Sequence, residues 1–229
     1  VDAAGNVYVT GRSQAGGISI DHFDYGTVKY DTDGNELWTA RYNGPAGLGD
    51  EVTALALDAD GNVYVTGTSS SGAQQTQGAT VKYNAAGVQQ WVALQGVAVG
   101  NKVNAIVVNG GSVVVTGQSN VGGEYDAQTV AYDRATGAEQ WSSRLGGSAH
   151  FGDMGSAITR DAQGNLYIAG SIWDASNGML VAKYDSAGTL QWSRNYQPYA
   201  GISGSNQAYS IARDPTGGVV AAGRAIGVG

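Results

Sequence analysis

The chain has 229 residues, of which 42% are apolar and 14% charged, with a net charge of −7 and no cysteine. Its twelve basic residues are scattered singly, so no patch can follow a phosphate backbone, and neither nucleic acid nor an anionic membrane surface is an expected partner. Disulfides, thiolate metal centres and Cys nucleophiles are excluded, and no apolar run approaches the ~20 residues that cross a bilayer.

The 37 glycines follow no collagen-like period. With many Val, Thr and Tyr beside them, they point to short strands joined by tight turns. The first piece, residues 1–47, holds three strand signals: Val7 to Gly11, Thr27 to Tyr30, and Glu36 to Tyr42. Asp31-Thr32-Asp33-Gly34 joins the last two, with Asp bonding its own backbone and Gly supplying positive φ. The second piece, 50–96, carries four: Val52 to Leu57, Asn62 to Thr66, Ala79 to Tyr83 and Val88 to Leu94, with Thr68 to Gly78 read as a polar loop. Pieces 101–147 and 154–199 repeat this pattern, and 206–229 holds two strands.

The string Gly61-Asn62-Val63-Tyr64-Val65-Thr66-Gly67 anchors the alignment. Gly5 to Gly11 repeats it, and Gly111 to Gly117, Gly164 to Gly170 and Gly217 to Gly223 are looser copies. The terminal glycines recur every ~50–56 residues and Trp38, Trp91, Trp141 and Trp192 every ~50–53, which with four strands per unit is the signature of propeller blades. The expectation is an all-β fold: a β-propeller of four-stranded antiparallel blades, about four blade-lengths in one domain over 1–229, forming part of a larger propeller. The opening Val1-Asp2-Ala3-Ala4-Gly5 matches the middle of a repeat, Leu57 to Gly61, so a preceding segment is expected. The recurring Trp reads as a structural wedge between blades.

Two turns, Asp31-Thr32-Asp33-Gly34 and Asp58-Ala59-Asp60-Gly61, resemble the start of calcium loops and make Asp31, Asp33, Asp58 and Asp60 weak metal candidates. The later ligands of such a loop do not follow, and the third unit has Asn109-Gly110-Gly111 instead, so hairpin turns are the preferred reading and no metal is expected. Strand order puts the second-to-third loops and the interblade connections on one face. His22, Phe23, Asp24, Tyr25, Tyr125, Asp126, His150, Phe151, Trp173 and Asp174 fall there, as does Asp153, and these loops vary in length. Variable loops on a rigid scaffold are where binding resides. Asp50, Asn101, Asp153 and Asn206 precede successive first strands and read as structural hydrogen-bonding residues. No nucleophile elbow, P-loop or zinc spacing occurs.

The Gly-Asn-Val-Tyr-Val-Thr-Gly string, followed by Thr27-Val28-Lys29-Tyr30-Asp31, Leu37-Trp38 and Arg41-Tyr42-Asn43-Gly44-Pro45, resembles the bacterial SBBP (seven-bladed β-propeller) repeat family. Ala131-Tyr132-Asp133-Arg134-Ala135-Thr136-Gly137-Ala138-Glu139-Gln140-Trp141 resembles the tryptophan-docking motif of quinoprotein-like propellers, where it is structural. The vicinal Cys pair common in quinoproteins is absent, so no cofactor is expected. The family resemblance implies a module of an exported or cell-surface bacterial protein. The favoured expectation is a non-catalytic binding or scaffold module that recognises a protein or glycan through its variable-loop face, with self-association or association with a longer chain as further partners. The alternatives are a propeller hydrolase or lyase with its site at the axial mouth, and a structural repeat of a surface filament or layer.

Overall fold

The computed structural model describes residues 1–14, 22–72, 74–96, 98–149, 152–174, 176–197 and 206–225. Seventeen strands and no helix occur among them. They form five antiparallel sheets of three, four, four, four and two strands, each in plain sequence order. The chain divides into two compact units, Val1–Val108 and Asn109–Gly229.

In the first unit, β1 (Val7–Gln14), β2 (Phe23–Tyr30) and β3 (Glu36–Tyr42) make one sheet. A second holds β4 (Asp50–Leu57), β5 (Val63–Gly72), β6 (Gln75–Tyr83) and β7 (Gln89–Leu94), and β8 (Lys102–Asn109) follows. Antiparallel pairing alternates side chains between two faces. Tyr8, Tyr25 and Tyr42 on one face of the first sheet therefore meet Val63, Val65, Ala79, Val81 and Tyr83 on the facing side of the second. A blade's inner strands are covered on both sides, which is why β5 reads Val-Tyr-Val without alternation and all three residues are fully buried.

The second unit repeats the plan with β9 (Ser112–Val121), β10 (Glu124–Asp133) and β11 (Glu139–Leu145), then β12 (Met154–Arg160), β13 (Leu166–Trp173), β14 (Asn177–Tyr184) and β15 (Leu190–Tyr196). The last sheet pairs β16 (Gln207–Arg213) with β17 (Val219–Arg224).

Two irregularities recur at fixed places. The first strand bulges against its neighbour at Val52/Ala54, Gly155/Ala157 and Ala208/Ser210. The third strand shifts register against the fourth at Lys29/Tyr30, Lys82/Tyr83, Ala131/Tyr132 and Lys183/Tyr184. Bulges sharpen twist locally, and their recurrence at fixed positions shows that the sheets share one plan.

Several stretches expected to be loops are strand. Phe23, Asp24 and Tyr25 lie in β2, Tyr125 and Asp126 in β10, and Trp173 ends β13. Within the expected loop Thr68 to Gly78, residues 68–72 continue β5 and residues 75–78 open β6, and Gly122-Gly123, both at positive φ, close β9 onto β10 in two residues. The physical reason is pairing: Ser69 opposite Gln77 and Asp126 opposite Ser119 extend ladders whose side chains are polar.

Candidate functional site

Each sheet has two ends. One end carries the turns between first and second strands and between third and fourth. The Asp that opens these turns folds back on its own backbone. Asp58 Oδ1 accepts from the Asp60 and Asn62 N–H groups, and Oδ2 accepts from Asn62 Nδ2 and from the Tyr64 hydroxyl at 2.8 Å. Asp2 does the same with Asn6 and Tyr8, and Asp161 with Asn165 and Tyr167. A lysine stands over each of these tyrosines: Lys29 over Tyr8 at 5.1 Å, Lys82 over Tyr64 at 5.5 Å, and Lys183 over Tyr167 at 5.4 Å. In the third repeat the Asp, Tyr and Lys positions hold Asn109, Val114 and Ala131. In the four repeats that reach the third strand the three residues go together, as members of one structural unit would; in the fifth, Asp214 closes its turn with Val220 at the Tyr position, so the turn itself does not require the tyrosine.

This places the four weak metal candidates. Asp31 accepts from the Asp33 and Asn35 N–H groups and from Asn35 Nδ2. Asp31 and Asp58 thus close turns with their own carboxylates, while Asp33 and Asp60 contribute turn backbone. No cluster of three or more metal-ligating His, Asp or Glu occurs among the described residues. Burial pushes the Asp58 carboxyl up, but the hydrogen bonds from Asn62 and Tyr64 outweigh it and hold the group below the usual carboxylate range. Hydrogen bonding, led by Asn6, lowers Asp2 to about 2.

The four tryptophans belong to the same packing. Trp38 lies between Tyr8 and Tyr83, with ring centroids 6.1 and 6.4 Å away, and its Nε1 donates to the Ala85 carbonyl. Gly87, at φ +80°, lies flat against its ring. In the second unit Gly188 meets Trp141 likewise. Trp91 packs on Tyr64 and Trp192 on Tyr167.

The opposite end carries the hairpins and the connections between sheets. Asp50, 3% exposed, accepts from the Gly44 N–H at 2.6 Å. Asp153, fully buried, accepts from Gly147 N and Trp173 N, both at 2.6 Å. Asn101 donates to the Gly96 carbonyl at 2.5 Å, and Asn206 to that of Asn177 at 2.7 Å. The first three tie the preceding connection to the first strand, and Asn206 ties its strand to the start of β14. Burial raises the Asp50 and Asp153 carboxyls despite those N–H groups.

The residues expected to face a ligand are distributed unevenly. His22 is exposed and Phe23 half-buried, with the Arg12 guanidinium 5.8 Å over its ring. Tyr25 is turned inward: it is fully buried, donates to the Ala79 carbonyl, and packs on Tyr42. Asp24 is buried in an ion pair with Arg41 at 2.6 Å, and Asp126 in one with Arg144 at 2.8 Å. These are the same two repeat positions. In the second and fourth repeats they hold Gln77 with Leu94 and Gly178 with Asn195, so the ion pair too appears or disappears as a pair. Tyr125 is half-buried and its carbonyl accepts from Asp153 N. Trp173 is half-buried beside Gly152. Asp174 accepts from Ser148 N and Asn195 Nδ2. His150 and Phe151 lie outside the described residues.

A cleft of about 240 Å³ opens at this end of the first unit, lined by Arg12, Phe23, Asp50, Glu51, Ser70 and Thr76 among others. Arg12 and Glu51 pair across it at 2.5 Å and both side chains are more than half exposed. Of its lining only Phe23 and Asp50 had been singled out from the sequence. Glu51, Ser70 and Thr76 sit at repeat positions where other blades have different residues, and Arg12 recurs only as Arg224, so periodicity carried little signal for them.

Against solved structures, the chain resembles the quinohemoprotein alcohol dehydrogenase from Comamonas testosteroni, with a TM-score of 0.61 and 17% identity, over 95% of this chain and 38% of that one. The chain is built of β-propeller blades. At this identity the likeness shows the fold alone, and the chain spans well under half of that protein's length. BamB from Moraxella catarrhalis matches with a TM-score of 0.45 and 16% identity, over 86% of this chain and 51% of that one. A luciferin-regenerating enzyme matches with a TM-score of 0.43 and 14% identity, over 91% and 66%. No family model matches the chain, and no curated protein does either.

Proposed function

We propose that this propeller module is a non-catalytic binding or scaffold unit of an exported or cell-surface bacterial protein, of the SBBP repeat type, and that it recognises a protein or glycan at the hairpin end of its blades. One observation carries the reading: the two ends of the blades differ in what their polar groups are engaged in. At the turn end, Asp2, Asp58 and Asp161 accept hydrogen bonds from their own turns and tyrosines. At the hairpin end, the cleft offers an aromatic ring, an exposed Arg–Glu pair and hydroxyls. A few convergent polar groups beside an apolar surface suit a polar ligand held without chemistry. The buried carboxylate in the cleft's lining, Asp50, already accepts a backbone N–H, which suits anchoring rather than proton transfer.

The test is binding of the immobilised chain to a panel of neutral oligosaccharides and extended peptides, repeated with Phe23→Ala and Glu51→Gln, and with Asp60→Ala at the turn end. Loss of binding in the first two variants alone supports the reading. Loss in Asp60→Ala with the other two unaffected overturns it.

A further inference from the structure

One groove at the turn end departs from the plan of its counterpart. Between the third and fourth sheets it measures about 380 Å³ and is lined by Asn109, Ser112, Arg160, Gln163 and Ser186 among others. Both flanking sheets have four strands. The same groove between the first and second sheets is lined by Asp2, Tyr8, Lys29, Leu57, Asp60 and Ala85 among others. The repeats make the two comparable position by position. Acidic Asp2 and Asp60 give way to the amides Asn109 and Gln163, and apolar Leu57 and Ala85 to Arg160 and Ser186. Tyr8 and Lys29 give way to Val114 and Ala131. Four changes thus remove negative charge or add a hydrogen-bond donor, and two withdraw the tyrosine with its lysine.

Arg160 is the one charged side chain in the lining. Its neighbour Asp161 is 5% exposed, and its oxygens are held by its own turn and by Tyr167. In a chain with 19 acidic and 12 basic residues, an arginine without a carboxylate is notable. Arg12, Arg41 and Arg144 at the hairpin end each have one. Arg160 is exposed and forms no ion pair among the described residues; its Nη1 lies 3.5 Å from the Asp161 carbonyl. The walls around it are fixed. Asn109 Nδ2 donates across the groove to the Gly164 carbonyl at 2.9 Å, and Ser112 Oγ donates to Gln140 Oε1. Gln163 and Ser186 are exposed, and their side chains bond no described residue.

We propose that this groove binds a carboxylate-bearing sugar, a uronate unit of an acidic polysaccharide. The planar guanidinium of Arg160 takes the carboxylate in a two-point contact. The Gln163 amide and the Ser186 hydroxyl, on two different turns, take the ring hydroxyls. The lining holds no aromatic ring and no large apolar side chain. A neutral sugar therefore has no face to stack on, and an acidic peptide has no apolar surface for its flanking residues. This is a turn-end site, and it stands independently of the hairpin-end reading above.

The test is calorimetric titration of the 229-residue chain, at low ionic strength, with a trimer of galacturonate, a trimer of galactose and a hexaglutamate peptide. The expected result is saturable binding of the uronate alone. Arg160→Gln weakens it roughly tenfold to a hundredfold, the cost of a charge-assisted hydrogen bond. Gln163→Asp, which restores the acidic residue of the first groove, weakens it as well. Arg194→Gln, which removes an exposed arginine on β15, leaves it unchanged. Absence of saturable binding overturns the proposal, as does equal affinity for the galactose trimer or binding unchanged in Arg160→Gln. Preference for hexaglutamate over the uronate also overturns it and makes an acidic peptide the occupant.

Discussion

If Asp58, Tyr64 and Lys82 form one unit, removing members in combination must cost less than the sum of the parts. Tyr64→Phe deletes a hydroxyl that donates to Asp58 at 2.8 Å from a fully buried side chain. A hydrogen bond to a charged acceptor contributes about 1.5–3 kcal/mol, and the ring itself stays in place. Asp58→Ala deletes the same bond and also strands the Asp60 and Asn62 N–H groups and the Asn62 amide. The turn donors reach water and recover in part; the Tyr64 hydroxyl does not. A cost of about 2–4 kcal/mol follows. The double variant loses the Tyr–Asp bond only once, so the cycle predicts a coupling of about 1–2 kcal/mol. The assay is urea unfolding at neutral pH followed by tryptophan fluorescence, with the midpoint shift multiplied by a common slope. Additive single effects, or a Tyr64→Phe variant as stable as the parent, would refute the triad and return Asp58 to the role of a solvated turn residue.

Gly87→Ala places a side chain in left-handed backbone and a Cβ 2.7 Å from the Trp38 ring, for a loss of about 2–4 kcal/mol in the same assay. Arg41→Ala leaves the buried Asp24 carboxylate unpaired; because the Arg side chain is 36% exposed and water reaches it, the expected loss is only about 1–3 kcal/mol, relieved by a second change, Asp24→Asn. On acidification the groups held below their ordinary pKa, Asp58 and Asp161 among them, contribute stability that is complete above the unfolded-state value and lost as pH falls below about 4. Asp50 runs the other way: its raised pKa means the folded state holds a proton that the unfolded state has released, so stability falls as pH rises through the window above about 4. Asp50→Asn, which copies the residue found at 101 and 206, flattens that part of the profile; unfolding midpoints measured from pH 4 to 7 that keep the parent slope would contradict this.

The strand plan was legible because each inner strand is covered on both faces, so Val63-Tyr64-Val65 and its relatives are apolar without interruption. The Asp-Gly turns were legible because their chemistry is local: the hydrogen bonds by which Asp31 and Asp58 close their turns come from within six residues. The hairpin end was not, since composition reads Ser, Thr, Gln and Asp as loop while cross-strand pairing decides whether they are strand. The sequence places Asp24 on the ligand-facing loops, whereas it is buried against Arg41, a partner 17 residues away that local pattern cannot reveal. A signal did exist in the repeats. Aspartate and arginine occur together at two homologous pairs of positions and vanish together at two others, and only residues in contact have reason to change in step.

The two identical heptapeptides set the limit of such reading. Nothing within Gly5 to Gly11 differs from Gly61 to Gly67, yet one Val-Tyr-Val is sealed and the other leaves Val7 and Val9 in solvent. Burial is thus conferred by what lies alongside: β4 at one edge and the tyrosine face of the neighbouring sheet. The glycine that closes each copy records that neighbour, because Gly67 is obligatory only where Glu51 and Val52 press against it. At Gly11 no described atom stands within 4 Å of that position, so the same residue type carries no such steric constraint among the described residues.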